Sequence, residues 1–459
     1  MSLFAASVLA LNTCGTIPRP EALQIKTSSC HVQGFVDPTE PGVRQFLGIP
    51  FAHPPTGSRR WQPPSKLQSA QPLNATSIGP ACPQQPLSQT NGLFMYVPPG
   101  GNQTEFFSPE TSQALSEDCL TLNVWAPATA SSKQHLPVLV WFFGGGFVRG
   151  GTNAKYFNPR SWVGRSQSHI VVTVNFRSNI FGFPNAHGLA HQNLGLFDQR
   201  LALEWVQENI AGFGGDPERI VLWGQSAGAI ASDYLNFAYP ADPIFSGLIL
   251  ESGTALYSPK LCQSPDKDGA NFSAVAKAFN CDAAPSPVDC LRHVPWQDLQ
   301  ASLATLGLAS SFLPVVDQHL VFSDYPERYK IGAFSSVPAL IGMNQHEVNA
   351  LISPTSAEAS NQTYVDKLSN ATFLCPAAMA SKYRQDAGYA TYRYRYDGDF
   401  PSLSYPGVPG AYHAADLPLI FGTAGDYHGA STAYEKKVGH AMQDMWLEFA
   451  KDPVNGLKN

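Results

Sequence analysis

The sequence predicts an α/β fold: a central, mostly parallel mixed sheet with helices on both faces and a cap-like insertion. Three observations point there. Residues 138–143, 170–175 and 219–223 are predominantly apolar runs, as strands covered on both faces should be. Residues 201–210 and the stretch after Gly228 have helical spacing, so strands and helices alternate as in a parallel sheet. The chain has 459 residues, 44% hydrophobic and only 14% charged, which suits a large core and argues against disorder.

Neither an internal repeat nor a low-complexity linker divides the chain. One domain over residues 16–459 is expected, with an insertion at about 255–335. The net charge of −6 without a basic block argues against nucleic acid and against an anionic membrane surface. The sequence contains no apolar run as long as a membrane span, so stable membrane insertion is not expected.

Residues 1–11 are short and apolar. They read as the core of a signal peptide within residues 1–15, without its basic lead residues, or as an ordinary buried strand. Five sequons, at Asn74, Asn102, Asn271, Asn361 and Asn370, and eight cysteines with no Cys-x-x-Cys pair favour a secreted, disulfide-permissive glycoprotein.

In chain order, residues 23–26, 32–35 and 43–48 read as short antiparallel strands, the last after a Pro-Gly turn. Residues 50–64 are proline-rich loop, and residues 71–118 are a long polar loop region. Strands follow at 120–125, 138–143 and 170–175, then the helix at 201–210 leading into Gly214-Gly215-Asp216-Pro217. Further strands are expected at 247–250, 338–343 and 391–396, and a last amphipathic helix at 431–451.

The stretch that organises the rest is Arg219-Ile220-Val221-Leu222-Trp223-Gly224-Gln225-Ser226-Ala227-Gly228. A strand ending in Gly-x-Ser-x-Gly and passing directly into helix is the context of a nucleophile elbow, which exposes the serine hydroxyl above the sheet. A serine hydroxyl is a poor nucleophile until an oriented base takes its proton. Glu347 and His413 follow strands in the order nucleophile, acid, histidine, which is the order of α/β-hydrolases. Glu251 or Asp317 are the alternative acids, and His346 the competing base, although its place beside Glu347 points it elsewhere. Gly144-Gly145-Gly146 after a central strand offers close backbone donors. Gly145 and Gly146, with Ala227, would form a three-donor hole for a tetrahedral oxyanion. The triple glycine opens no Gly-x-Gly-x-x-Gly helix, and this chemistry needs no metal or cofactor.

Several of these stretches are shared with a known family. Glu117-Asp118-Cys119-Leu120-Thr121-Leu122-Asn123-Val124-Trp125, Gly144-Gly145-Gly146-Phe147, residues 193–200, Phe213-Gly214-Gly215-Asp216-Pro217, the elbow, residues 344–347 and Gly410-Ala411-Tyr412-His413 resemble the type-B carboxylesterases, which include fungal esterases and lipases and the animal cholinesterases. The resemblance covers nearly the whole chain. It implies a serine esterase acting on a small-molecule ester through Ser226, Glu347 and His413, with disulfides Cys82–Cys119 and Cys281–Cys290.

The departures are informative. Pro109 and Gln225 stand where cholinesterases carry tryptophan and glutamate, so a cationic choline group would lose its aromatic partner and a carboxylate. Cholinesterase activity is therefore not expected. Residues 308–312 lack the aromatics that narrow a cholinesterase acyl pocket, which implies room for a larger acyl group. The segment between Glu347 and His413 is shorter than usual, and the chain stops soon after Trp446-Leu447-Glu448-Phe449-Ala450, where relatives continue. Cys375 then either lacks its usual partner or pairs with Cys262 or Cys30, and Cys14 has no assigned partner. An acyltransferase would use the same acyl-enzyme with an alcohol acceptor. A non-catalytic binding or adhesion module would lack the serine or histidine that this chain retains.

Overall fold

The structure is a computed structural model that describes residues 20–69, 71–84, 115–257, 263–266, 268–352, 361–403, 410–426 and 429–458. The expectations for residues 1–15, Cys14, Asn102, Pro109 and Cys262 lie outside these.

The strands are β1 (Gln24–Lys26), β2 (His31–Gln33), β3 (Phe35–Val36), β4 (Val43–Pro50), β5 (Pro72–Asn74), β6 (Thr121–Pro127), β7 (Leu136–Phe142), β8 (Ile170–Val174), β9 (Gly215–Gln225), β10 (Gly247–Glu251), β11 (Ala339–Asn344) and β12 (Thr391–Tyr396). Nine of them form one sheet in the order β12-β11-β10-β9-β7-β8-β6-β4-β3. From β12 to β8 every neighbouring pair is parallel, and β6, β4 and β3 add antiparallel strands at one edge. This is the mixed sheet of an α/β-hydrolase. The central strands are buried along their length because Val138–Phe142, Ile170–Val174 and Ile220–Trp223 present apolar side chains on both faces.

The N-terminal strands pair antiparallel as expected, β1 with β2 and β3 with β4. They belong to two sheets, because β1, β2 and β5 form a separate three-stranded sheet. The run at residues 32–35 breaks at Gly34, where a Cβ would lie 2.5 Å from the Phe46 ring. β5 lies in the stretch read as loop.

The helix Leu194–Phe213 starts two turns before the expected residue 201. Its first turns bury Asp198, whose carboxylate holds the buried Arg177 guanidinium at 2.6 and 2.8 Å, so no polar face marks them in the sequence. It closes on Gly214 in a left-handed conformation, φ +100°. The last helix, Ala433–Lys451, begins with a capping box between Thr432 and Glu435.

The expected insertion contains helices Ala270–Ala278, Pro287–Arg292, Trp296–Thr305 and Tyr325–Lys330. Phe272, Leu291, Leu299 and Phe312 pack there against Trp61 and Phe181 of the body, apart from the main core. Phe312 thus fills the core between the insertion and the body. The buried pair Arg60–Glu117, at 2.6 Å, fastens this unit: Arg60 Nη1 donates to the carbonyls of Leu291 and Val294. The structure contains the bridges Cys82–Cys119 and Cys281–Cys290. A Cys30–Cys375 bridge is not formed. Cys30 is a buried thiol whose titration burial pushes upward, and Cys375 is an exposed one at the start of helix Cys375–Asp386.

Candidate active site

Ser226 sits between β9 and the helix Ala227–Ala238 with φ +55° and ψ −124°. A side-chain-bearing residue in such a conformation carries roughly 1–3 kcal/mol of strain and persists only where its surroundings hold it. Here the Ser226 N–H donates to the Glu251 carbonyl at 2.8 Å, tying the turn to β10. A Cβ on Gly224 would come within 2.4 Å of Gly228, and one on Gly228 within 2.0 Å of the Phe142 carbonyl oxygen. The two glycines are therefore what lets the elbow close onto the end of β7. From residue 220 to 237 every residue is buried except Ser226.

The glycine loop after β7 has the same character. From residue 137 to 154 every residue is buried except Gly146. Gly145 has φ +118°, and a Cβ there would lie 2.4 Å from the Arg149 carbonyl oxygen. Gly145 and Gly146 donate to no backbone carbonyl among the described residues. Ala227 opens its helix, where N–H groups have no intrahelical acceptor. Gln84 pins the far end of the loop, exchanging two 2.8 Å bonds with the backbone of Gly150. Gln84 stands two residues after Cys82, so the Cys82–Cys119 bridge helps to seat this loop.

Glu347 follows β11, and its carboxylate is surrounded by donors. Ser252 Oγ donates to Oε1 at 2.5 Å and the Asn344 N–H at 2.7 Å. Oε2 lies 2.5 Å from Nδ1 of His413. A carboxylate accepts only, so in the neutral imidazole the proton sits on Nδ1 and Nε2 carries the lone pair. That nitrogen is 3.2 Å from the Gln225 side-chain amide, on the residue before Ser226. The ring also packs on Phe373 at 5.1 Å, and the His413 N–H donates to the Glu347 carbonyl at 3.2 Å. The structure thus brings Ser226, Glu347 and His413 to one end of the parallel strands.

The alternatives are engaged elsewhere. His346 faces Asp366 at 3.3 Å. Asp317 Oδ1 accepts from the N–H groups of His319, Leu320 and Val321. Glu251 Oε1 accepts from the indoles of Trp223 and Trp446 at 2.7 and 2.8 Å, and its Oε2 has no hydrogen-bond partner among the described residues. Burial, then the charge of Asp416, pushes Glu251 well above the ordinary carboxylate range. Burial likewise pushes Asp416 up to about 6, against the pull of Asn344.

Nothing local in the sequence marks the residues that support this carboxylate. Ser252 follows Glu251 with φ +54°, and Asn344 donates through Nδ2 to the Tyr412 carbonyl at 2.7 Å and to Asp416 at 3.0 Å. Asn344 lay within a shared motif, which was its only signal. Among the described residues no cluster of His, Cys, Asp or Glu is arranged to hold a metal, and no helix is long and apolar enough to cross a membrane.

The carboxylesterase family model matches residues 21–356 and 352–455. The chain is 42% identical over 443 residues to a chlorogenic acid esterase of Aspergillus niger, covering 95% of this chain and 84% of that one. It is 38% identical over 491 residues to secreted lipase 5 of Gibberella zeae, with 99% and 90% covered. Carboxylesterase 5A of Felis catus is 32% identical over 463 residues, with 89% and 82% covered.

Proposed function

The chain belongs to the carboxylesterase family and is a carboxylic ester hydrolase, and on that premise we propose that Ser226 is its nucleophile, His413 its general base and acid, and Glu347 the carboxylate that orients His413. The observation that carries this reading is the 2.5 Å contact from His413 Nδ1 to Glu347, which directs the basic nitrogen toward the elbow whose one accessible residue is Ser226.

In this mechanism Nε2 of His413 takes the Ser226 proton as Oγ bonds to the ester carbonyl carbon. The carbonyl oxygen becomes an oxyanion facing the N–H groups of Gly145, Gly146 and Ala227, each such donor being worth about 10²–10³ in rate. Collapse breaks the bond to the alkoxy oxygen, and His413 returns the proton to the departing alcohol. Water, deprotonated by the same nitrogen, then attacks the acyl-serine and releases the carboxylic acid. Glu347 stabilises the imidazolium in both halves without itself taking the proton.

The similarity to a chlorogenic acid esterase and to a secreted lipase supports an extracellular enzyme with either phenolic or acyl-glycerol esters as substrates. The two disulfides agree with that compartment. Asn74, Asn361 and Asn370 are exposed sequon asparagines and the ones we expect to be glycosylated. The test is hydrolysis of p-nitrophenyl esters from acetate to palmitate, and of chlorogenic acid, by the wild type beside Ser226→Ala. Turnover should vanish in the variant with the fold intact, and unchanged turnover would overturn the assignment. The preferred ester then sizes the acyl site.

A further inference from the structure

Another polar side chain touches the proposed base. Gln225, the last residue of β9, is fully buried, with Nε2 3.2 Å from Nε2 of His413. Its Oε1 has no hydrogen-bond partner among the described residues. That oxygen lies against the glycine loop, where a Cβ built on Gly144 would be 2.6 Å away. A buried amide oxygen without a donor is destabilising, and such groups in a folded protein call for a reason.

The reason we find is that His413 has two states to satisfy. While the ring is neutral, Glu347 holds the Nδ1 proton and Nε2 presents a lone pair that can only accept. Once the ring has taken the serine proton, Nε2–H can only donate. A carboxylate at position 225 would suit the second state alone. A primary amide has a donor end and an acceptor end, exchanged by a half-turn about its terminal torsion, which is broad and two-fold.

We propose that Gln225 is a positioning residue for the reaction: its Nε2 donates to the resting lone pair of His413 and gives that lone pair up to the Ser226 hydroxyl when the ester binds, and its Oε1 then turns toward the imidazolium Nε2–H until that proton passes to the leaving alcohol. In the resting enzyme the amide steadies the lone pair without charging the ring. After proton transfer the unpartnered oxygen gains its donor. The proposal rests on the assignment of Ser226, His413 and Glu347 above.

The experiment is kcat and kcat/KM against pH for p-nitrophenyl butyrate, using the full chain as wild type, Q225E and Q225M, with thermal unfolding to verify each fold. In Q225E a carboxylate beside the ring favours its charged form, so the acid limb of kcat/KM should move up by about one pH unit. In Q225M the volume is kept and both hydrogen-bonding states are lost. The limb should stay in place while kcat falls about tenfold with KM within about twofold, the size of one hydrogen bond to a charged partner. An acid limb of Q225E that coincides with that of the wild type, or an undiminished kcat in Q225M, overturns the proposal. Turnover that survives Ser226→Ala overturns the underlying assignment as well. Turnover that depends on Ser226 but ignores both Gln225 variants overturns this proposal alone.

Discussion

β10 and β11 are neighbours in the sheet, and each ends near a buried glutamate, yet the two carboxylates are in opposite situations. At the β11 end, Glu347 receives Ser252 O–H, the Asn344 N–H and His413 Nδ1. At the β10 end, Glu251 receives two indole N–H groups on one oxygen and, among the described residues, no donor on the other, and it faces Asp416. Three donors around both oxygens are the surroundings of an anion. One bare oxygen beside another acid is the surroundings of a proton holder. The residue type is the same, and the neighbours assign the role.

The comparison predicts unequal responses to the same change. Glu347→Gln should lower kcat by about 10³–10⁴, because the amide no longer fixes the imidazole tautomer. Glu251→Gln, which imitates a protonated acid, should leave kcat within about threefold. Ester hydrolysis at pH 7 by the two purified variants measures both, and equal losses would break the contrast.

Next in size is the donor set. Ser252→Ala withdraws one hydrogen bond from a buried carboxylate, worth roughly 1.5–3 kcal/mol, and should slow hydrolysis by about 10- to 100-fold. Trp446→Phe withdraws an indole from Glu251 and should reduce stability in urea without changing kcat. A kcat loss of similar size in both variants would mean that the β10 carboxylate also serves the reaction.

The smallest effect is in pH dependence. Asp416 is raised in the folded chain from about 3.8 to about 6, so between those pH values the folded state binds more protons than the unfolded. Its contribution to stability is therefore present below about pH 4 and is lost as pH rises through about 6. Asp416→Asn should remove that loss, becoming more stable relative to wild type by on the order of 1–3 kcal/mol between pH 4 and pH 7. Urea unfolding at the two pH values checks the sign, and a difference that shrinks with rising pH would contradict it.

The catalytic candidates were legible because each stands where chain order meets a strand end. Gly224-Gln225-Ser226-Ala227-Gly228 follows an apolar run, and Glu347 and His413 come after strands in one recognisable order. The central strands were legible from apolar runs that need no partner to be read. Ser252, Asn344 and Gln84 were not, since an ordinary polar residue becomes a support only when the sheet brings it to a distant carboxylate or loop. The first turns of Leu194–Phe213 were hidden for a related reason, as Asp198 is polar in sequence but buried against Arg177 in space. Gly34 passed for a strand residue because nothing local reveals that the Phe46 ring occupies the place of its side chain.

The central claim is that one accessible serine on a buried elbow is activated by His413. The direct measurement is inactivation of the full chain with a fluorophosphonate, followed by peptide mass mapping. One phosphonyl group should appear on the peptide that carries Ser226, in step with loss of esterase activity, and should be slowed at least about 10³-fold in His413→Ala. Labelling of another residue, or full activity after stoichiometric labelling of Ser226, would contradict it.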